Sequence, residues 1–196
     1  YGGVIELAPT ESPGLFEGIT ALSGIPIHDF RTLYFERNHL NNIHDQSQKE
    51  TLLSVVRDLA KEEAIVTQVA QFIDSFENGK VLNTELVDVI QKLRALGYPI
   101  ALLSNYTSLL RKKLNKHTLE DLFDHIIISS EVGLQKPDPE IFRRTFQALE
   151  VNPEEAIFID DSPKSLSTAA EVGYHPIRFI DNHRLFQELH KLGITL

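Results

Sequence analysis

The first part of the chain has apolar residues at spacings of three and four, which is typical of amphipathic helices. Between Leu15 and Phe76 the spacing recurs in three groups. They are Phe30, Leu33 and Tyr34; Leu52, Leu53, Val55, Val56 and Leu59; and Ile65, Val66, Val69, Phe72, Ile73 and Phe76. Turn-forming residues interrupt and end the pattern: Ser23, Gly24, Pro26, Asn78 and Gly79. The pattern therefore predicts a small all-helical lobe at residues 15–79.

After this lobe, short apolar runs alternate with helical patterns. Strands are predicted at 99–105, 125–130, 156–161 and 175–180, and helices at about 83–97, 108–122, 139–149, 164–172 and 183–192. Strands separated by helices are typical of a parallel sheet with helices on both faces and right-handed crossovers. The predicted fold class is therefore α/β, a doubly wound parallel Rossmann-like sheet with an inserted all-helical cap. Residues 1–14 and 80–196 form the predicted core, and residues 15–79 form the cap.

Two adjacent carboxylates, Asp160 and Asp161, come directly after the apolar run from Ala156 to Ile159. Such a run is typical of a strand buried on both faces of a parallel sheet, and ligands bind at the carboxyl ends of these strands. Neighbouring carboxylates repel each other unless they share a cation or a proton, so the pair predicts a site for a hard ion such as Mg²⁺. The ordinary alternative for an isolated acidic pair is a solvated turn.

Three further polar side chains are expected at the same edge of the sheet. Ser104 and Asn105 end one predicted strand, and Lys136 lies in the loop SSEVGLQKPDPEIF at the end of the next. A hydroxyl, an amide, an ammonium group and two carboxylates in one crevice suit a phosphate group and its metal ion. Taken singly, a serine here is more often a helix cap and a loop lysine is usually solvated.

Composition and charge narrow the functional classes. A chain of 196 residues with 42% hydrophobic and 24% charged residues is typical of one soluble globular core with a smaller lobe. The net charge of −9 argues against a nucleic-acid or anionic-membrane partner, and no apolar run approaches the ~18 residues of a membrane span. The absence of cysteine excludes disulfides and cysteine catalysis and fits a cytoplasmic protein. The oligomeric state is left open.

These residues together resemble the motifs of the haloacid dehalogenase-like hydrolase superfamily. The matching stretches are Ser104–Asn105 for the second motif, Lys136–Pro139 with Ile141–Phe142 for the third, and Asp160–Ser162 for the fourth. The segment YGGVIEL resembles the stretch directly after the family's first motif, and the helical lobe lies where the family has its helical cap. The resemblance covers essentially the whole chain, and SSEVGLQKPDPEIF is its most specific part.

The resemblance implies a magnesium-dependent phosphatase that acts on a small phosphorylated metabolite through an aspartyl-phosphate intermediate. By this resemblance, Ser104 binds the phosphoryl oxygens, and Lys136 stabilises the charges of the nucleophile and the phosphate. Asp161 ligates Mg²⁺, and Asp160 beside it binds the ion directly or through water. Asn105 shapes the floor of the site, and the cap closes over the substrate and selects the leaving group.

The start of the chain departs from the family pattern. With Gly3 and Val4 aligned to the family's Gly-Val or Gly-Thr pair, the nucleophilic aspartate belongs directly before Tyr1, so we expect an upstream strand that ends in aspartate. Placing Tyr1 two positions after the nucleophile needs an extra residue. The preferred alignment puts Gly2 in the substrate site, where many members have a second aspartate as general acid and base, so water or the substrate would protonate the leaving group.

These observations leave three functional hypotheses. The first is the phosphatase. The second is a 2-haloacid dehalogenase, a class that needs no metal and usually has a serine and asparagine stretch in place of Asp160-Asp161. The third is a catalytically inactive binding module with the same fold, which an upstream residue other than aspartate would favour.

The predicted cap contains five basic or histidine side chains that are candidates for substrate contacts: His28, Arg31, Arg37, His39 and His44. On a helical lobe such residues are more often solvated. A metal site made of His39 and His44 is not expected, because a spacing of five does not bring two residues to the same helix face.

Overall fold

The computed structural model describes residues 1–195, which form six short strands and eleven helices. The strands are β1 (Glu6–Leu7), β2 (Val81–Leu82), β3 (Ala101–Ser104), β4 (His125–Ile128), β5 (Ile157–Asp160) and β6 (His175–Arg178). The helices are α1 (Leu15–Ser23), α2 (Ile27–Arg37), α3 (His39–Asn42), α4 (Gln48–Ala60), α5 (Glu63–Asn78), α6 (Thr84–Ala95), α7 (Leu109–Lys116), α8 (Ser129–Val132), α9 (Pro139–Ala148), α10 (Ala169–Val172) and α11 (Asn182–Lys191). The predicted α/β class is confirmed. In this part of the chain no helix is long and apolar enough to cross a bilayer.

Helices α1, α2, α4 and α5 pack around their own apolar cluster, in which Phe30 and Val69 are fully buried, and the short helix α3 contacts α2 and α4. Helices α1 and α5 approach closely at Gly18, where a Cβ atom would lie 2.1 Å from the ring of Phe72. Any larger residue at this position would displace the Phe72 ring or push the two helices apart. The apolar residues at helical spacing thus pack against one another in a lobe with its own core, separate from the core around the strands. The exact boundaries of the predicted cap at residues 15 and 79 stay a prediction.

The core strands form two separate parallel pairs. β3 pairs with β4, where Ser104 lies opposite Ile128, and β5 pairs with β6, where Asp160 lies opposite Arg178. Both pairs are parallel, as the alternation of strands and helices predicts. Within residues 1–195 no backbone ladder joins β3 to β5, so the continuous sheet expected from the sequence is divided between these two strands.

The two strand pairs nevertheless lie in one layer, because side chains of both pairs pack together on each face of that layer. Leu102 of β3 and Ile159 of β5 belong to one apolar cluster, together with residues of α6, α7 and α11. The next residue of β3, Leu103, belongs to a second cluster with Phe158 of β5 and residues of α9. Since successive side chains of a strand point to opposite faces, helices cover both faces of this layer.

Two helices are shorter than the apolar spacing indicates. The helix expected at 108–122 ends at Lys116, and Thr118 adopts a φ of +56°, which a continuing helix does not allow. Of the helix expected at 164–172, only α10 forms. The residues before α10 make successive turns, and the Ser167 hydroxyl donates to the backbone oxygen of Lys164 at 2.9 Å. Serine and threonine side chains compete with helical hydrogen bonds in this way.

Polar contacts join the helical lobe to the core on one side of the crevice between them. The Asn42 side chain donates from Nδ2 to Oε1 of Gln135 at 2.8 Å. The Asp45 carboxylate accepts hydrogen bonds from the backbone nitrogen and the hydroxyl of Ser108, both at 2.6 Å. Ser108 precedes α7, so the Asp45 carboxylate lies at the amino end of a core helix.

On the other side, β1 and β2 form a short antiparallel ribbon where the chain enters and leaves the helical lobe. Buried Glu6 accepts from Nζ of Lys113 at 2.7 Å, and Glu77 at the end of α5 lies 3.3 Å from the same nitrogen. Lys80 Nζ lies 2.5 Å from Glu77. Two carboxylates and two ammonium groups therefore hold the lobe, the ribbon and α7 together.

Candidate active site

All six site residues predicted from the sequence line one cavity of about 550 Å³ between the helical lobe and the ends of β3 and β5. They are Gly2, Ser104, Asn105, Lys136, Asp160 and Asp161. Ser104 and Asp160 are the last residues of their strands, so both lie at the carboxyl edge of the layer. The structure brings the six residues together, and their individual roles stay predictions.

Lys136 and Asp160 form a buried ion pair at the base of the cavity. The Nζ atom of Lys136 lies 2.6 Å from Oδ2 of Asp160, and the two side chains are 6% and 9% exposed. The same nitrogen donates to the backbone oxygen of Leu103 at 3.4 Å and lies 5.3 Å from the centroid of the Phe158 ring. Lys136 is therefore not the solvated loop lysine that its sequence context alone would most often indicate.

Asn105 fixes the position of Lys136. Its Oδ1 atom accepts from the backbone nitrogen of Lys136 at 2.8 Å, and its Nδ2 atom donates to the backbone oxygen of Lys136 at 2.9 Å. Both groups of the amide are thus used inside the protein. Asn105 thus fastens the Lys136 loop to the end of β3, and its role in shaping the floor of the site stays a prediction.

Asp161 differs from its neighbour because it is exposed and because no lysine or arginine within residues 1–195 forms an ion pair with its carboxylate. Desolvation of the carboxyl group, and then the charge of Asp160, raise the pKa of Asp161. Both oxygens of Asp160 are engaged, Oδ2 by Lys136 and Oδ1 by the backbone nitrogen of Ser162 at 2.9 Å. Of the two carboxylates, Asp161 is therefore the one available to a further positive group.

The chain passes directly beside the Asp161 carboxylate at Gly3. Gly3 has a φ of +80°, and a Cβ atom there would lie 2.5 Å from Oδ2 of Asp161. Only glycine adopts this backbone conformation readily and also leaves room for the carboxylate. Gly3 was not among the site residues predicted from the sequence. The paired glycines next to a motif-like segment are the signal that could have indicated it.

The donor set fits Mg²⁺. This ion is usually held by one or two protein carboxylates, with substrate phosphate oxygens and water completing its shell. Asp161 lines the cavity with a carboxylate that has no ion-pair partner within residues 1–195, and Asp160 lies next to it. Across residues 1–195 no three or more His, Cys, Asp or Glu side chains are gathered as a metal cage, so the arrangement does not suit an ion held by protein ligands alone.

The backbone nitrogen of Tyr1 lies inside the same site. Tyr1 is 6% exposed and lines the cavity together with Lys136 and Asp160. A group joined to this nitrogen would therefore lie among the charged side chains of the site.

The roof of the cavity comes from the helical lobe, and its residues were not predicted from the sequence. They include Phe16, Tyr34, Phe35, Asn41, Asn42 and Gln48. The five basic or histidine residues suggested from the sequence do not line the cavity. Two of them are held by other cap residues instead, since Arg31 pairs with Glu17 at 3.0 Å and Arg37 pairs with Asp58.

Comparison with known proteins gives a family and several relatives. A family model described as haloacid dehalogenase-like hydrolase matches residues 10–173. The chain is 41% identical over 76 residues to phosphoserine phosphatase of Thermus thermophilus, which is 38% of this chain and 30% of that protein. It is 28% identical over 95 residues to (S)-2-haloacid dehalogenase 4A of Burkholderia cepacia, which is 48% of this chain and 41% of that protein. These matches span less than half the length of either relative.

A solved structure resembles the chain over nearly its whole length. It is a haloacid dehalogenase-family enzyme of Bacteroides thetaiotaomicron, an aspartate-to-alanine mutant in complex with magnesium and inorganic phosphate. The two chains are 25% identical with a TM-score of 0.65, and the match covers 94% of this chain and 95% of the other. The fold of the described residues is therefore that of a known enzyme family.

Proposed function

Because the chain belongs to the haloacid dehalogenase-like hydrolases, we propose that it is a Mg²⁺-dependent phosphatase that acts on a small phosphorylated metabolite. The observation that carries this proposal is the buried pair of Lys136 and Asp160 beside the uncompensated carboxylate of Asp161. A fixed ammonium group and a divalent-ion ligand together suit the charge of a phosphoryl group. The phosphatase relative and the magnesium and phosphate bound to the structural neighbour support the same function.

The proposed reaction uses a carboxylate nucleophile joined to the Tyr1 nitrogen. An oxygen of that carboxylate forms a bond to phosphorus as the ester P–O bond breaks, and water then attacks phosphorus to release phosphate and restore the carboxylate. Ser104 and Lys136 bind the phosphoryl oxygens. Gly2 has no proton to give to the leaving group, so water or the substrate itself supplies it. Bound Mg²⁺, held by Asp161, would offset the phosphoryl charge.

A 2-haloacid dehalogenase is the competing enzyme class, and the Burkholderia cepacia relative is the observation in its favour. Displacement of a halide from carbon needs no metal ion, so that reaction gives no role to the two adjacent carboxylates of Asp160 and Asp161. The acidic pair therefore favours the phosphatase. A catalytically inactive binding module remains the alternative without chemistry.

Product analysis on the full-length protein separates these three functions. We expect release of inorganic phosphate from a panel of phosphate monoesters, at a rate that falls at least about 100-fold when EDTA removes Mg²⁺. We expect no chloride release from 2-chloropropionate under the same conditions. Chloride release that is insensitive to EDTA would establish the dehalogenase instead. Binding of phosphate esters without release of either product would establish the inactive module.

A further inference from the structure

The helical lobe contributes neutral side chains to the cavity. Its aromatic part is formed by Phe16, Tyr34 and Phe35, whose ring centroids lie 5.0 to 6.0 Å apart. Its polar part consists of amides, namely Asn38, Asn41, Asn42 and Gln48. All residues of the lobe are described, and none of those that line the cavity carries a charge. A wall of this kind packs against carbon surfaces and forms hydrogen bonds with neutral polar groups.

Two of the lysines that line the cavity are already paired with carboxylates. Lys136 binds Asp160 at 2.6 Å. Lys80 lies 2.5 Å from Glu77 and 3.9 Å from Glu6. The third lysine of the lining, Lys164, is exposed and belongs to the loop after Asp161, on the phosphate side of the cavity. An anionic group of the substrate other than its phosphate would therefore contact only the amides and aromatic rings of the roof. Burying such a charge without a cationic partner is unfavourable.

Asn41 provides a buried acceptor in this roof. The residue is 6% exposed, and its Nδ2 atom donates to Oδ1 of Asn42 at 2.9 Å. Asn42 in turn donates to Gln135 of the core at 2.8 Å, so the chain of amides fixes the Asn41 side chain. The Oδ1 atom of Asn41 has no hydrogen-bond partner within residues 1–195. Buried acceptors in folded proteins are nearly always paired with a protein group or with water, so this oxygen is available to a substrate hydroxyl group that takes the place of such a water.

Tyr34 adds a hydroxyl group next to these amides. Gln48 Nε2 donates to the Tyr34 hydroxyl at 3.1 Å. Burial raises the pKa of Tyr34, while its contacts with Gln48 and Asn41 act in the opposite direction. The phenol therefore keeps its proton at neutral pH. The roof thus combines hydroxyl and amide groups with aromatic rings, which matches a molecule that presents both hydroxyl groups and a carbon skeleton.

We propose that the roof is a subsite for a neutral, hydroxyl-bearing leaving group, such as the carbon skeleton of a sugar phosphate or polyol phosphate, and that Asn41 sets this preference. The inference rests on the proposed phosphatase function, because it concerns the part of the substrate that leaves with the ester oxygen. Esters whose skeleton carries a carboxylate are excluded because the roof offers no cation to pair with it.

A matched pair of substrates tests the preference in the full-length protein with Mg²⁺. Sorbitol 6-phosphate and 6-phosphogluconate differ in one terminal group, which is a hydroxymethyl group in the first and a carboxylate in the second. We expect kcat/KM to be about 100-fold higher for sorbitol 6-phosphate, because a site built for a hydroxyl strongly rejects an analogue that leaves its polar groups unpaired. Equal values, or a preference for 6-phosphogluconate, would overturn the proposal.

Variants of Asn41 separate a specificity role from a structural one. Asn41→Leu should raise KM for sorbitol 6-phosphate about tenfold, the value of one lost hydrogen bond. It should raise KM for ethyl phosphate much less than KM for sorbitol 6-phosphate, since ethyl phosphate has no further hydroxyl group. Asn41→Asp keeps the acceptor and adds a negative charge, so it should discriminate even more strongly against 6-phosphogluconate. A KM for sorbitol 6-phosphate that is the same in Asn41→Leu as in the parent protein would remove Asn41 from the subsite.

Calorimetric binding of the same two esters distinguishes failure of the subsite from failure of the reaction. If neither ester is hydrolysed but sorbitol 6-phosphate binds about 100-fold more tightly, the proposed reaction is wrong and the subsite stands. If both esters are hydrolysed and bound equally well, the reaction stands and the subsite is wrong.

Discussion

Replacing Lys136 with methionine is expected to lower the turnover of phosphate esters by about 10²–10⁴-fold, because a fixed positive charge beside the phosphoryl group is lost. The same substitution should lower the free energy of unfolding by about 3–5 kcal/mol, since it leaves the buried carboxylate of Asp160 without its partner. From the sequence alone, Lys136→Ala is predicted to lose turnover with little change in melting temperature. The burial of the ion pair, at 6% and 9% exposure, revises that expectation.

Steady-state kinetics and denaturant unfolding of Lys136→Met measure the two effects separately. Lys113→Met is a matched control, because it removes the ammonium partner of buried Glu6 but touches neither Asp160 nor Asp161. We expect the control to lose stability and to keep its turnover within about tenfold. A Lys136→Met enzyme with the parent's turnover would show that Lys136 has only a structural role.

Asp161→Asn should lower turnover by about 10²–10³-fold at a fixed Mg²⁺ concentration, and a higher Mg²⁺ concentration should be needed for half-maximal rate. The physical reason is the loss of one ligand charge at the crevice. Without metal the variant should be no less stable than the parent protein, because the repulsion between Asp160 and Asp161 is removed. Mg²⁺ should raise the melting temperature of the parent protein and have a much smaller effect on the variant.

The same substitution at Asp181 provides the control. Asp181 precedes α11 and accepts from the backbone nitrogen of Arg184 at 2.8 Å, away from the cavity. Asp181→Asn keeps an N-cap acceptor, so it should change stability by no more than about 0.5 kcal/mol and leave the Mg²⁺ requirement unchanged. If Asp161→Asn and Asp181→Asn show the same Mg²⁺ dependence as the parent protein, the acidic pair does not bind the metal.

Much of the fold could be predicted from the sequence because apolar spacing carries strong local information. The helical lobe and the parallel strands of the core are indicated by periods of three to four residues and by short buried runs. The helices predicted from this spacing are too long in two places. Local hydrogen bonds compete with the helix at Ser167 and its neighbours, and the chain turns at Thr118. It could not predict the division between β3 and β5 either, because pairing of distant strands is not encoded in the pattern of either strand.

The floor of the candidate site was also predictable, since polar residues at the ends of parallel strands converge on one edge. Ser104 and Asp160 occupy those ends, and the Lys136 loop is fastened to the first of them by Asn105. The roof was not predictable. Whether Asn41 or Arg31 faces the cavity depends on how the lobe is oriented over the core, and contacts between distant segments such as Asn42 and Gln135 determine that orientation.

The proposed nucleophile is tested most directly by comparing two extended forms of the chain. Each carries an apolar strand before Tyr1, and the strand ends in aspartate in one form and in asparagine in the other. Such a strand would offer backbone partners to β3 and β5, which share no ladder within residues 1–195. Both forms should unfold cooperatively. We expect Mg²⁺-dependent release of phosphate, and a covalently bound phosphoryl group detectable by mass spectrometry, in the aspartate form alone. Equal phosphate release by the asparagine form would contradict the proposed mechanism.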